Sequence, residues 1–106
     1  MTISEKTVQA VWEKGRGVGD RDADTWRQDE CGAWIRREHY ENLTSEYGWK
    51  IEVTIAGGNA DIGNLRPFHR ENGFDVNTGE RRCKVTSDRE GIQPTAGVDT
   101  PHNRET

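Results

Sequence analysis

A chain of 106 residues has material for a single small domain. Only seventeen residues are Leu, Ile, Val or Phe, which excludes a large core, while a net charge of −4 is too modest to impose disorder. Nineteen acidic against fifteen basic residues also argue against a default polyanion-binding role, because neutralising phosphates requires a positive footprint. Four Trp and two Tyr concentrate the available burial in a few large side chains. They predict a minimal core around Trp12, Trp26, Trp34 and Trp49, with Val and Ile between them.

The opening "MTISEKTVQAVW" has no uninterrupted apolar run, so neither a signal peptide nor a membrane span is expected, and the location is read as cytoplasmic. Ser4 suits the cap of a short helix, Ile3 and Val8 have the spacing of a hydrophobic staple, and Val8, Val11 and Trp12 share one face. Gly15, Gly17 and Gly19 end it; "GRGVG" lacks the Lys-Ser/Thr of a phosphate loop and reads as a flexible connector. "DRDADTW" opens like a calcium loop, but Thr25 stands where the turn needs Gly and Cys31 where a bidentate Glu belongs. An Asp-capped turn leading into a helical segment over residues 23–28 is the plainer expectation.

"DECGAWIRREHY" predicts a turn and then a strand centred on Trp34 and Ile35. In "ENLTSEYG", read as a loop, Asn42-Leu43-Thr44 is a glycosylation acceptor in form, with meaning only on export. "GWKIEVTI" alternates Trp49, Ile51, Val53 and Ile55 with Lys50, Glu52 and Thr54, a strand with one buried face. Gly57-Gly58 breaks it, "NLRPFHREN" is expected to enter a helix after Pro67, and "RRCKVTS" to form a last strand. "IRR" and "ERRCK", the two basic runs, read as solvated strand faces. The domain is placed at residues 1–89 and a disordered polar tail at 90–106. Cys31 and Cys83 form no CxxC pair; without a secretion signal free thiols are expected, with a disulfide as the alternative.

The run "VWEKG…TWRQDECGAWIRREHY…SEYGWKIE…GG…NLRPFHREN" resembles small bacterial HNH-type endonucleases of the ββα-metal fold, over residues 11–87. The resemblance implies an α+β domain of short antiparallel strands, with an N-terminal helix and a ββα-metal-like core. It aligns Glu52 with the strand carboxylate that ligates metal, Val53 with the His that deprotonates water, and Asn64 with the Asn that braces the loop. The last metal ligand aligns with Gly73, placing His69 and Asn72 beside that position. An isopropyl group cannot accept a proton, so general-base catalysis is lost at Val53.

The implied function is that of a catalytically degenerate HNH-like module, a pseudoenzyme acting by binding or as structure, with no cofactor. A protein partner is favoured over nucleic acid, and no membrane role is expected. The alternative is a divalent-metal-dependent endonuclease with an altered site. Glu52 and His69 would then hold magnesium or zinc, Glu52, Asn64 and His69 would be the catalytic remnants, and Asp61 or His39 would offer substitutes. A third possibility is an exported factor with Cys31 and Cys83 joined.

Overall fold

Ser4 adopts an extended conformation, and its Oγ accepts the Thr7 backbone N–H, satisfying one of the donors left open at a helix start. From there runs α1, Glu5–Trp12, whose Val8, Val11 and Trp12 are buried. The computed structural model describes residues 4–19, 21–55, 61–88 and 101–106. The staple partner Ile3 and the Gly57-Gly58 break lie outside them. Among the described residues no helix is long and apolar enough to cross a membrane.

The remaining elements are short antiparallel ribbons. Strands β1 (Trp26–Gln28) and β2 (Trp34–Arg36) pair, as do β3 (Trp49–Val53) and β4 (Leu65–His69). Next come β5 (Gly73–Asp75) with β6 (Glu80–Arg82), and β7 (Val85–Ser87) with β8 (Asn103–Glu105). The chain is therefore a small α+β domain of one helix and paired short strands among its described residues.

One face of the β3–β4 ribbon packs on α1. Trp12 and Trp49 are fully buried with ring centroids 5.3 Å apart, and Val8, Val11, Ile35 and Leu65 surround them. Such an aromatic pair adds roughly 0.5–1.5 kcal/mol beyond its area burial. The Trp12 Nε1–H donates to the Ala23 carbonyl at 3.0 Å, so its polar tip is satisfied inside the core. The other two tryptophans form a second cluster: Trp26 lies edge-on to Trp34 and to Tyr47, and the Arg36 guanidinium stands 5.2 Å from the Trp26 ring centroid. Trp26 itself is only half-buried. The single four-tryptophan core expected from the sequence is thus two clusters.

Gly48 is required on steric grounds: a Cβ there would run into the Asn42 carbonyl oxygen, where the 42–48 loop closes before β3. Gly32 combines a positive φ of 85° with the Thr86 hydroxyl 2.9 Å from where a Cβ would stand, so the turn between β1 and β2 admits no side chain.

Five expectations are corrected. The Asp-capped turn is present, with Asp22 Oδ1 accepting the Asp24 N–H, but residues 26–28 form β1, paired with β2, instead of continuing a helix. After Pro67 the chain continues as β4. Both strands of a two-stranded ribbon are edges, where proline is tolerated, and Pro67 opposes Ile51 in the ladder. Residues 81–87 divide into two strands, because β6 and β7 take different partners. The tail expected to be disordered from residue 90 ends in β8, with Asn103 opposite Ser87 and Glu105 opposite Val85; residues 89–100 lie outside the described chain. Finally, Cys31 and Cys83 are disulfide-bonded, their Cα atoms 5.5 Å apart, instead of free. The turn after β1 and the segment between β6 and β7 carry the two sulfurs toward each other across 52 residues of sequence.

Candidate functional site

In an antiparallel pair, directly opposed residues share a face and successive residues alternate. Glu52 opposes Arg66, whereas His69 opposes Trp49, three steps along the ladder. Glu52 therefore lies on one face of the β3–β4 ribbon and His69 on the other. Val53, opposite Leu65, packs against the core. Asn64 sits in the short 3-10 turn Ile62–Asn64 just before β4, and its backbone carbonyl accepts the Thr54 N–H at 2.9 Å. The structure places this Asn at the ribbon's entry but does not bring it together with both Glu52 and His69.

Glu52 and Gly73, the two positions aligned with metal ligands, are close neighbours: a Cβ on Gly73 would stand 3.0 Å from Glu52 Oε1. The charge facing that carboxylate is the Lys50 ammonium, at 3.1 Å. Arg82 and Lys84 line the same 300 Å³ depression. His69 is 1 % exposed, and both its ring nitrogens are engaged. Nε2 lies 2.6 Å from the Glu46 carbonyl and must donate to it, while Nδ1 accepts the Glu71 N–H at 3.1 Å. That pattern requires the neutral imidazole with its proton on Nε2 and its lone pair occupied. Burial pushes its pKa below the ordinary value of 6.5, opposed in part by the Glu46 hydrogen bond. His39 bonds Ser45 at 2.5 Å, and Asp61 is exposed at the start of the 3-10 turn. Among the described residues no group of three or more His, Cys, Asp or Glu side chains has a metal-holding arrangement.

A buried polar hub lies beside His69. Asp29, 4 % exposed, accepts the Cys31 and Ala33 N–H groups through Oδ1, and the His69 N–H and the Asn72 amide through Oδ2. Asn72 donates further to the Val85 carbonyl and accepts the Lys84 and Val85 N–H groups through Oδ1. Two side chains thereby join the β1–β2 turn, the end of β4 and the start of β7. Asn72, considered from the sequence as a neighbour of a metal site, works here as a backbone clasp.

On the other side of Asp29 opens a cleft of about 610 Å³. Its rim carries Lys14, Arg16, Arg66 and Arg104, and its acidic residues are Asp29 and Glu30. Asp29 is already committed to four donors, and Glu30 stands 3.8 Å from Arg66. The Lys14 ammonium donates to the Ile62 and Leu65 carbonyls, leaving one of its three protons unassigned. Desolvation, and then the charge of Arg66, pull the Lys14 pKa below its usual value. Two-way backbone bonding between Arg16 and Gln28, at 2.8 and 2.9 Å, fixes Arg16 at the mouth. Among the described residues the guanidinium groups of Arg16 and Arg104 make no ion pair or hydrogen bond.

The same holds for two polar side chains of the cleft wall that are more than nine-tenths buried. The Gln28 amide and the Ser87 hydroxyl have no hydrogen-bond partner among the described residues, and their polar atoms are open to the cleft. Water in the cleft can satisfy both groups, and a ligand that displaces it would meet two polar side chains in a basic hollow.

Sequence reasoning missed this cleft entirely. Its cations are scattered at positions 14, 16, 66 and 104, the second inside a glycine-rich connector and the last in a supposed tail. No protein-family model, no curated protein and no solved structure matches this chain.

Proposed function

We propose that the chain is a binding module without hydrolytic turnover, of HNH-like descent. One observation carries the reading: the two side chains that a metal-dependent mechanism would recruit, Glu52 and His69, occupy opposite faces of the β3–β4 ribbon, and the imidazole has no lone pair to spare. A water-activating base must stand within about 3 Å of its proton, directly or through one water. Val53 cannot serve, and His69 faces away from Glu52. The descent is supported by the position of Glu52 on a strand, by Asn64 before the returning strand and by the nearness of Gly73 to Glu52. Against it stands β4, which runs where that fold carries its closing helix.

The disulfide supports an oxidising setting over the cytoplasm expected from the sequence, since cytosolic glutathione keeps such pairs reduced. A protein partner remains the favoured macromolecular contact, because the overall negative charge repels long polyanions.

The test is incubation with supercoiled plasmid and magnesium, manganese or zinc, beside Glu52→Ala and His69→Ala variants. Nicking at the level of buffer in all samples is the expected result. Ion-dependent nicking that disappears in Glu52→Ala would overturn the reading.

A further inference from the structure

We infer that the cleft between β1, β4 and β7 binds a small phosphate-bearing anion, a phosphomonoester or diphosphate, held by Arg16 and Arg104 at the mouth and by Gln28 and Ser87 in the wall. The inference rests on the binding-module reading and names the ligand class that such a module takes. The cleft concentrates positive charge in a chain whose overall charge is −4: four cationic residues line it against two carboxylates, and both carboxylates have partners within the fold. The rest of the chain carries a net negative charge, which disfavours an extended polyanion, so the favoured ligand carries its charge over a few ångströms.

The donor set points to phosphate. Guanidinium groups present planar forks that match phosphate oxygens two at a time, and two of them stand here without partners among the described residues. The Lys14 ammonium keeps one N–H donor uncommitted beside Arg66. The Ser87 hydroxyl and the Gln28 amide can each donate, and both reach the cleft with no acceptor among the described residues. Ser87 is held at the wall by its own N–H, which donates to the Gly32 carbonyl at 3.0 Å. That turn is fixed by the Cys31–Cys83 bridge and by the Thr86 hydroxyl bonded to the Cys31 carbonyl at 2.8 Å. A volume of 610 Å³ falls within the usual range for small-molecule sites.

The experiment is titration of the disulfide-bonded protein with inorganic phosphate, pyrophosphate, adenosine 5′-monophosphate and citrate, by calorimetry and ³¹P NMR at low salt. Saturable binding of pyrophosphate and of the nucleotide is expected. Arg16→Ala and Arg104→Ala should each weaken it roughly tenfold, about the worth of one charge-assisted contact. Lys6→Ala, an exposed basic residue of α1 outside the cleft, should leave it unchanged; circular dichroism confirms that each variant is folded. Because Ser87 is buried, Ser87→Ala is read only after Arg16→Ala and Arg104→Ala have been compared.

No saturable binding of any probe up to about 10 mM, well beyond the weakest useful affinity, would overturn the inference. So would binding indifferent to both arginine variants, or citrate binding as tightly as pyrophosphate, which would mark a carboxylate site. Release of inorganic phosphate from the nucleotide, seen as a new ³¹P resonance, would support the site while overturning the non-catalytic reading on which it rests.

Discussion

Replacing Asp29 by Ala removes the acceptor for four donors at once. The Cys31 N–H lies toward the cleft and can be rehydrated. Three others belong to residues no more than 2 % exposed: the N–H groups of Ala33 and His69 and the Asn72 amide. Each dry, unpaired donor costs roughly 1–3 kcal/mol, so the three together give a loss of about 3–6 kcal/mol after partial relaxation. Domains of this kind have about 5–15 kcal/mol in total. Asn at position 29 keeps the shape but turns one acceptor oxygen into a donor facing donors, so Asp29→Asn should lose about 2 kcal/mol or more instead of behaving as a conservative change. Urea unfolding followed by Trp fluorescence reads the effect. With a slope of about 1–3 kcal/mol per molar, the midpoint of Asp29→Ala should fall by about 2 M, with loss of the folded state as the extreme. A midpoint within about 0.5 M of the parent chain would refute the hub as a source of stability.

Other measurements probe other parts of the fold. His69 is held neutral below its ordinary pKa of 6.5, so the folded chain resists a proton that the unfolded chain accepts. The stability due to His69 is therefore complete above pH 6.5 and drains away as pH falls below it toward the lowered folded value; denaturation midpoints from pH 7.5 to 4.5 should show less of this slope in His69→Gln. Breaking the Cys31–Cys83 bridge by the double Ala variant releases a 52-residue separation and should cost about 4 kcal/mol on the chain-entropy relation, seen in urea midpoints without reductant. Trp12 and Trp34 should differ. The Trp12 Nε1–H is bonded and that of Trp34 is buried without a partner among the described residues, so Trp12→Phe should lose about 1 kcal/mol more than Trp34→Phe. Equal losses in the two variants would show that the Trp34 indole proton is satisfied in solution.

What the sequence made legible was local. Ser4 and the Val8, Val11, Trp12 spacing announced α1, and the Trp49–Val53 alternation announced β3, because capping and periodicity act over a few residues. What it hid depended on distant partners. Pro67 at the start of a polar run suits a helix by itself, yet pairing with β3 turns the run into a strand. Asn103 reads as tail until its side chain is seen bridging the Trp34 backbone and the Glu46 carbonyl, which pins β8 in place. Cysteine pairing over a long separation carries no short-range signature. The candidate site was harder still: Glu52 and His69 were near in sequence and separated by the pleat, whereas Arg16 and Arg104 were far apart and ended at one cleft.

The division of the strands into two-membered ribbons has a bearing on how these molecules behave in a crowd. A row of unpaired peptide groups along a strand invites a neighbouring chain to zip on, and a ribbon presents such a row on both flanks. Here each row stops after three to five residues, too short to template a lasting intermolecular ladder. On β6, every position is charged as well. Concentrated solutions should accordingly resist fibril formation, and insertions that lengthen β3 and β4 into one long apolar ribbon would be the changes that remove this protection.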